Sequence, residues 1–166
     1  MREFRAEIQY PATTSEVAAM LADPDFVERK VTATRPVNST AQVTGTLADG
    51  FTVTTVRDLS TADLPAAAQR LVGPTVRIQL VETWSSAAAD GSRSGSVTVE
   101  VVGKPARASG TASLTQSGST TTLIYQGSVE AKVPLIGPRL EEQAASQVQA
   151  VLAAEHSVGL AWLAER

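Results

Sequence analysis

The C-terminal end of the chain constrains the fold most, because it reads as one long amphipathic helix. Apolar residues recur with a period near 3.6 from residue 138 to about residue 164, and Gly137-Pro138 supplies the start. Glu141 and Glu142 follow where the helix dipole favours anions. The apolar stripe consists of Leu140, Ala144, Val148, Val151, Leu152, Val158, Trp162 and Leu163. At 1.5 Å per residue this helix is about 40 Å long, so a small sheet can cover it only by curling around it.

The N-terminal part of the chain predicts a strand followed by two short helices. Residues 2–10 alternate between polar and apolar side chains, which is typical of a strand with one solvated face. Residues 13–30 have helical spacing, with Thr14 or Ser15 as the N-cap and a stop at Asp23-Pro24. A second short helical turn is expected at residues 26–27.

The middle of the chain predicts antiparallel strands interrupted by one short helix. Asp49-Gly50 is a hairpin signal, and residues 64–73 have the pattern of a short helix. Further alternating strands are expected at residues 75–84, 96–103 and 120–133. The strand pattern of residues 103–117 is weaker, and Pro105 and Gly110 predict a break within this segment. The sum is an α+β fold in which helices pack on one face of a bent antiparallel sheet of about six to seven strands.

Composition narrows the classes of site and partner. The absence of Cys excludes disulfides, thiolate metal sites and Cys nucleophiles, and a single His excludes a His metal cluster. The net charge of -3, without a run of Lys or Arg, disfavours a nucleic-acid partner. The N-terminus does not have the pattern of a signal peptide. No stretch of about 18 consecutive apolar residues, the length that spans a membrane, occurs in the sequence. We therefore expect one soluble, cytoplasmic domain over residues 1–166, a monomer or weak homodimer without metal, cofactor or integral membrane segment.

The segment VEAKVPLIGPRLEEQAASQVQAVLAAE, residues 129–155, ends a strand, turns at Gly-Pro and opens the long helix. With the order of elements, it resembles the superfamily of START domains, the birch pollen allergen and polyketide cyclases (SRPBCC), which have the helix-grip fold. The resemblance implies two short helices after the first strand and a sheet wrapped around a C-terminal helix. Within the superfamily, the chain is most similar to an uncharacterised bacterial branch with a short helix between strands, as residues 64–73 would form here.

A helix-grip fold implies a cavity between the sheet and the helix. The alternation of the strands and the stripe of the helix place a set of mostly apolar residues inside. The predicted lining set is Phe51, Ile78, Leu80, Glu82, Trp84, Val99, Leu123, Tyr125, Val148, Leu152, Glu155 and Trp162. Phe4, Ile8, Val53 and Val97 are expected on the same side. This arrangement predicts a binding module for a hydrophobic small molecule such as a lipid, an isoprenoid or a polyketide, unless the same residues fill a solid core.

Three polar members of this set leave a catalytic alternative open. A buried carboxylate needs a partner, so Glu82 and Glu155 would require Arg57, Arg77 or a ligand if they face inward. Alternatively Glu82 lies in solvent near a strand end, and Glu155 lies at the edge of the helix stripe. An enzyme of the cyclase or hydrolase type would use Glu82, Tyr125 or Glu155 as acid, base or orienting group. The small number of such groups favours binding over catalysis, and a protein-interaction domain with a filled core is the third alternative.

Three further positions carry structural expectations. His156 is expected on the solvated surface of the long helix, because it shares no face with Glu155. Gly159 either permits a close approach by a sheet residue or marks a bend. Leu135-Ile136 is expected to form a hydrophobic staple at the helix entry, with a gate over the cavity as the alternative. The sequence contains no nucleophile elbow, P-loop or dinucleotide fingerprint.

Overall fold

The computed structural model describes all residues from Met1 to Arg166 as eleven helices and strands. In chain order these are β1 Arg2–Tyr10, α1 Thr14–Leu21, α2 Pro24–Thr32, β2 Asn38–Thr46, β3 Gly50–Ser60, α3 Ala66–Val72, β4 Thr75–Trp84, β5 Arg93–Val101, β6 Ala106–Ser117, β7 Thr120–Ala131 and α4 Gly137–Ala164. The seven strands form one antiparallel sheet in the order β1-β7-β6-β5-β4-β3-β2. The helices α1, α2 and α4 pack on one face of this sheet, which we call the inner face. The predicted α+β helix-grip fold is confirmed.

The predicted break at Pro105 is confirmed, because this residue lies in the turn between β5 and β6. The predicted break at Gly110 is wrong, because β6 runs without interruption through it. Gly110 pairs with Gly127 of β7. A Cβ atom on Gly110 would overlap the carbonyl oxygen of Gln126, so the two strands approach closely at this point. The glycine is therefore a site of close backbone contact within a strand and not a strand end.

The first two helices both begin at side-chain caps, and the cap of α1 differs from the predicted one. The N-cap of α1 is Thr13, one residue before the expected Thr14, and it forms a capping box with Glu16. Asp23 accepts a hydrogen bond from the backbone N–H of Asp25, so the predicted stop at Asp23-Pro24 also starts α2. As a result α2 is a helix of nine residues and not a short turn.

The long helix α4 begins at Gly137 as expected, but its buried face is displaced from the predicted stripe. Its buried residues are Gly137, Glu141, Leu152, Glu155, Gly159 and Trp162, whereas Ala144 and Val151 are exposed. Glu141 is in the second turn, where it accepts a hydrogen bond from the backbone N–H of Ala131 at 2.9 Å. It therefore fixes the end of β7 and does not complement the helix dipole in the first turn. None of the helices is long and apolar enough to cross a membrane.

Two predicted features of α4 resolve in opposite ways. Gly159 lies against the ring of Tyr10, and a Cβ atom there would be 2.5 Å from Cε1 of that ring. The glycine therefore permits a close approach between α4 and β1. The predicted staple at Leu135 is wrong, because this side chain is fully exposed and its φ angle is +71°. A side chain in solvent cannot pack against the helix it precedes.

Candidate ligand-binding site

Strand register places the predicted strand residues on the inner face. Directly paired residues of an antiparallel sheet project to the same side, and so do residues two apart along a strand. Three successive rows across β3, β4 and β5 are Val53–Glu82–Val97, Thr55–Leu80–Val99 and Arg57–Ile78–Val101. Phe51 pairs with Trp84, and Tyr125 and Leu123 of β7 continue the same face through β6. All eight strand members of the predicted lining set therefore share the inner face.

One end of the inner face is closed by packing. Phe51, Trp84, Leu123 and Tyr125 are each at most 5% exposed. The rings of Phe51 and Trp84 stack with their centroids 6.5 Å apart. Leu152 and Trp162 of α4 belong to the same buried cluster. We call these six residues the closed end. Because they are tightly packed, a ligand could contact only the rest of the inner face.

The other end of the inner face is incompletely covered. Ile78, Leu80, Val99 and Val101 remain partly exposed although they point inward, and Val148 of α4 is also partly exposed. We call these five residues the open end. The helix α4 packs mainly on β1, β7 and α2, so it does not cover the open-end side chains of β4 and β5 completely. The open end is therefore an apolar strip beside α4.

Between the two ends lies a buried ion cluster. The ammonium nitrogen of Lys30 is 3.0 Å from Oε1 of Glu155 and 3.4 Å from Oε2 of Glu82. All three side chains are at most 7% exposed. The alternatives that placed Glu82 in solvent and Glu155 at the edge of the stripe are wrong, because both carboxylates converge on one cation from α2.

Sequence reasoning missed Lys30, although its pattern contained a signal. Phe26, Val27, Lys30 and Val31 recur at helical spacing and are the buried residues of α2. A lysine on the apolar face of a short helix therefore predicts a buried carboxylate partner. The predicted partner Arg77 lies on the outer face, where it forms an ion pair with Asp58 at 2.8 Å.

Burial and neighbouring charges set the protonation of the cluster. Burial lowers the pKa of Lys30, but the negative charges of Glu155 and Glu82 more than offset this, so its pKa is raised and the ammonium stays protonated. Burial raises the pKa of Glu155, and the charge of Glu82 adds to this, while Lys30 opposes both and does not cancel them. Glu155 therefore takes up a proton at a higher pH than an ordinary glutamate does.

Arg57 lies beside this cluster without a partner. The side chain is 9% exposed, and its Nε is buried without a hydrogen bond. Burial lowers the pKa of Arg57, and the charges of Glu155 and Glu82 oppose that effect. Yet neither carboxylate lies within ion-pair distance of the guanidinium, because both are held by Lys30. The predicted pairing of Arg57 with Glu82 or Glu155 is therefore wrong.

Further buried polar atoms on the inner side lack a hydrogen-bond partner in the protein. They include the hydroxyls of Tyr10, Thr55 and Tyr125 and the indole Nε1 of Trp84. Burial raises the pKa of Tyr10 and of Tyr125, and the charges of Glu155 and Glu82 raise both further, so both hydroxyls stay protonated. Buried polar groups in folded proteins are nearly always hydrogen-bonded. Of these atoms, the hydroxyl of Thr55 lies in the same row as Leu80 and therefore borders the open end.

The remaining candidate positions lie elsewhere. His156 is half-buried, with Nε2 2.8 Å from the carbonyl oxygen of Gln9 and its ring against Tyr10, so it is not freely solvated. Two grooves of about 480 and 210 Å³ open mainly on the outer face and contain no member of the predicted lining set. No three His, Cys, Asp or Glu side chains converge as metal ligands.

The chain is similar to known proteins over nearly its whole length. A family model described as "Protein of unknown function (DUF2505)" matches residues 5–163. No curated protein has a significantly similar sequence. Three similar solved structures are TTHA0849 from Thermus thermophilus, a STAR-related lipid transfer protein fragment from Xanthomonas axonopodis and a START superfamily protein from Mycobacterium smegmatis.

The three structures cover nearly the whole chain at low sequence identity. TTHA0849 is 18% identical, with 96% of this chain and 97% of that chain covered and a TM-score of 0.63. The Xanthomonas fragment is 20% identical, with 95% and 85% covered and a TM-score of 0.56. The Mycobacterium protein is 10% identical, with 95% and 96% covered and a TM-score of 0.56. The resemblance to the START superfamily is thereby confirmed, and at these identities the likeness concerns the fold.

Proposed function

We propose that this chain, which belongs to the DUF2505 family, binds a hydrophobic small molecule between the inner face of its sheet and α4. The ligand is of the lipid, isoprenoid or polyketide-like class. Its apolar body lies along the open end, and its polar end points towards Lys30 and Arg57.

The observation that carries this proposal is the partial exposure of inward-facing apolar side chains. Leu80, Val99 and Val148 pack against the core from its edge, and Ile78 lies one row further out. Removing such inward-facing apolar surface from water lowers the free energy by roughly 25 cal/mol per Å². A ligand with an apolar body gains this energy without displacing the packed closed end.

The position of the polar groups supports the same orientation. Thr55 and Arg57 lie in the same rows as Leu80 and Ile78, so polar atoms without partners border the apolar strip. Ligand pockets are typically apolar with a few polar groups that fix the orientation. The fold is also that of a protein described as a STAR-related lipid transfer protein, which is consistent with a lipid-like ligand.

The test is a titration with a fluorescent long-chain alcohol, which carries no charge, followed by displacement with dodecanol. A tryptophan at position 148 would fill the open end, whereas a tryptophan at position 151 would project into solvent from the same helix. We expect Val148→Trp to weaken binding by about tenfold or more, because steric exclusion from an apolar site removes at least about 1.4 kcal/mol. Val151→Trp should leave it unchanged.

The outcome that contradicts the proposal is equally specific. If the wild-type protein binds no apolar probe, or if the two tryptophan variants bind alike, the open end is not a ligand site. The partly exposed strip would then complete a filled core or contact another protein.

A further inference from the structure

Arg57 is a buried cation that forms no ion pair within the protein. Lys30, the other buried cation, has two carboxylates within 3.4 Å, whereas Arg57 has no ion pair and its Nε has no hydrogen bond. Burial of an ion without a paired charge or hydrogen bonds is strongly unfavourable. An arginine at 9% exposure, with no ion pair and a buried Nε that has no hydrogen bond, therefore marks a place where an anion is stabilised.

The charge of the surrounding cluster leaves room for one added negative charge. The charged groups that act on Arg57 are Lys30 on α2, Glu82 on β4 and Glu155 on α4. The neutral hydroxyls of Tyr10 and Tyr125 lie beside the two carboxylates. With both carboxylates ionised, the two cations and two anions cancel. When Glu155 takes up a proton, the cluster becomes positive by one charge. An incoming anion favours this protonation, and the positive charge that it leaves uncompensated balances the anion while Lys30 stays paired with Glu82.

Arg57 also has the right position for the end of an amphiphile. Its strand partner is Ile78 of the open end, and the next inward residue of β3 is Thr55, whose buried hydroxyl has no partner. A head group bound by the guanidinium can accept a second hydrogen bond from this hydroxyl. The chain attached to it then runs past Leu80 and Val99.

We infer that the ligand is an amphiphilic acid whose carboxylate binds the guanidinium of Arg57. A planar carboxylate matches the fork of N–H donors on a guanidinium and can accept two hydrogen bonds from it. This inference rests on the proposed function, because it assigns the head group of a ligand whose apolar body lies along the open end.

The experiment compares dodecanoate with dodecanol, which have the same chain length and differ in head group. Both are titrated by displacement of the uncharged probe at neutral pH. We expect the wild-type protein to bind dodecanoate about tenfold or more tightly than dodecanol, because a hydrogen-bonded ion pair replaces a neutral contact. Arg57→Gln should abolish this preference, so that this variant binds the acid and the alcohol within about twofold of each other. Arg77→Gln, on the outer face, is the matched control and should keep the preference.

Each result separates the two proposals. Equal binding of acid and alcohol by the wild type, or a preference that survives in Arg57→Gln, overturns the role of Arg57 and leaves the apolar site standing. Binding of neither compound overturns both. Should Arg57→Gln fail to fold, Arg57→Lys keeps the charge without the fork, and it should retain only part of the preference; full retention would contradict bidentate binding.

Discussion

The ammonium nitrogen of Lys30 lies 3.0 Å from Oε1 of Glu155, so a buried ion pair joins α2 to the middle of α4. The same nitrogen is 3.4 Å from Glu82, which extends the connection to β4. Three elements that lie far apart in the sequence thus meet at one cation. This cation separates the packed aromatic end of the inner face from the incompletely covered apolar end.

Removal of this cation should destabilise the protein strongly. Lys30→Met keeps the length and apolar stem of the side chain but leaves two buried carboxylates unpaired. We expect a loss of about 3–5 kcal/mol in the free energy of unfolding, measured by urea denaturation at neutral pH.

The neighbouring Arg29 is the matched control for Lys30. It pairs with Asp25 and Glu165 in solvent, so Arg29→Met should have a far smaller effect. If Lys30→Met and Arg29→Met lower the stability equally, the cluster does not hold the helices together.

The titration of Glu155 should make a defined contribution to the pH dependence of stability. Because burial raises the pKa of Glu155 above its ordinary value of 4.5, the native state holds this proton at pH values where the unfolded chain has released it. The contribution is therefore fully present below about pH 4.5 and is lost as the pH rises through the raised pKa. Glu155→Gln cannot titrate, so the stability of wild type relative to this variant should fall with rising pH over that window.

Denaturation curves of both proteins at closely spaced pH values measure this difference. Asp58 and Glu165 have lowered pKa values, so their contribution to stability is lost as the pH falls. Both residues are present in the wild type and in the variant, so their contribution cancels in the difference. A wild-type-minus-variant difference that does not change with pH would show that Glu155 titrates normally.

The contact between Gly159 and Tyr10 should reverse the usual effect of a helix substitution. Replacing Gly by Ala inside a helix normally stabilises it by about 1 kcal/mol. Here the added Cβ would overlap the Tyr10 ring, so Gly159→Ala should instead lose about 1–3 kcal/mol through overpacking. Thermal unfolding measures the change, and the double variant with Tyr10→Leu should recover part of it. A stabilised Gly159→Ala protein would mean that α4 and β1 are further apart.

The turn before α4 should tolerate glycine at one position and not at the next. Leu135 has a φ angle of +71° and no buried surface, and such a conformation costs a non-glycine residue about 1–2 kcal/mol. Because glycine also loses more chain entropy on folding, Leu135→Gly should be neutral or stabilising by up to about 1 kcal/mol. Ile136→Gly removes a half-buried side chain at ordinary φ and should destabilise. Equal destabilisation in both variants would contradict this view of the turn.

The inner face could be predicted from the sequence because alternation along a strand is a local property. Ile78, Leu80, Glu82 and Trp84 share a face by period alone, whatever the strand pairs with. The path of α4 over the sheet is not local. The division into a closed and an open end depends on where this helix crosses β1 and β7, and no period in the strands encodes it.

The sequence could predict the two carboxylates of the ion cluster but not the cation that joins them. The sequence placed Glu82 and Glu155 on inward positions, but their common partner is 52 and 125 residues away along the chain. Which cation reaches them depends on the start, length and direction of α2, and the cap at Asp23 accounts only for the start. The lack of a partner for Arg57 is a further consequence, since Lys30 occupies both carboxylates.

The most direct measurement of the central claim is methyl NMR of the isotopically labelled protein during titration with dodecanol. The account predicts shift changes at the methyl groups of Leu80, Val99 and Val148, with Val151 and Val102 unchanged because both are exposed outside the site. Saturable changes confined to the first group would place the ligand between the inner face and α4. Changes confined to exposed methyl groups, or none at all, would contradict a ligand site at the open end.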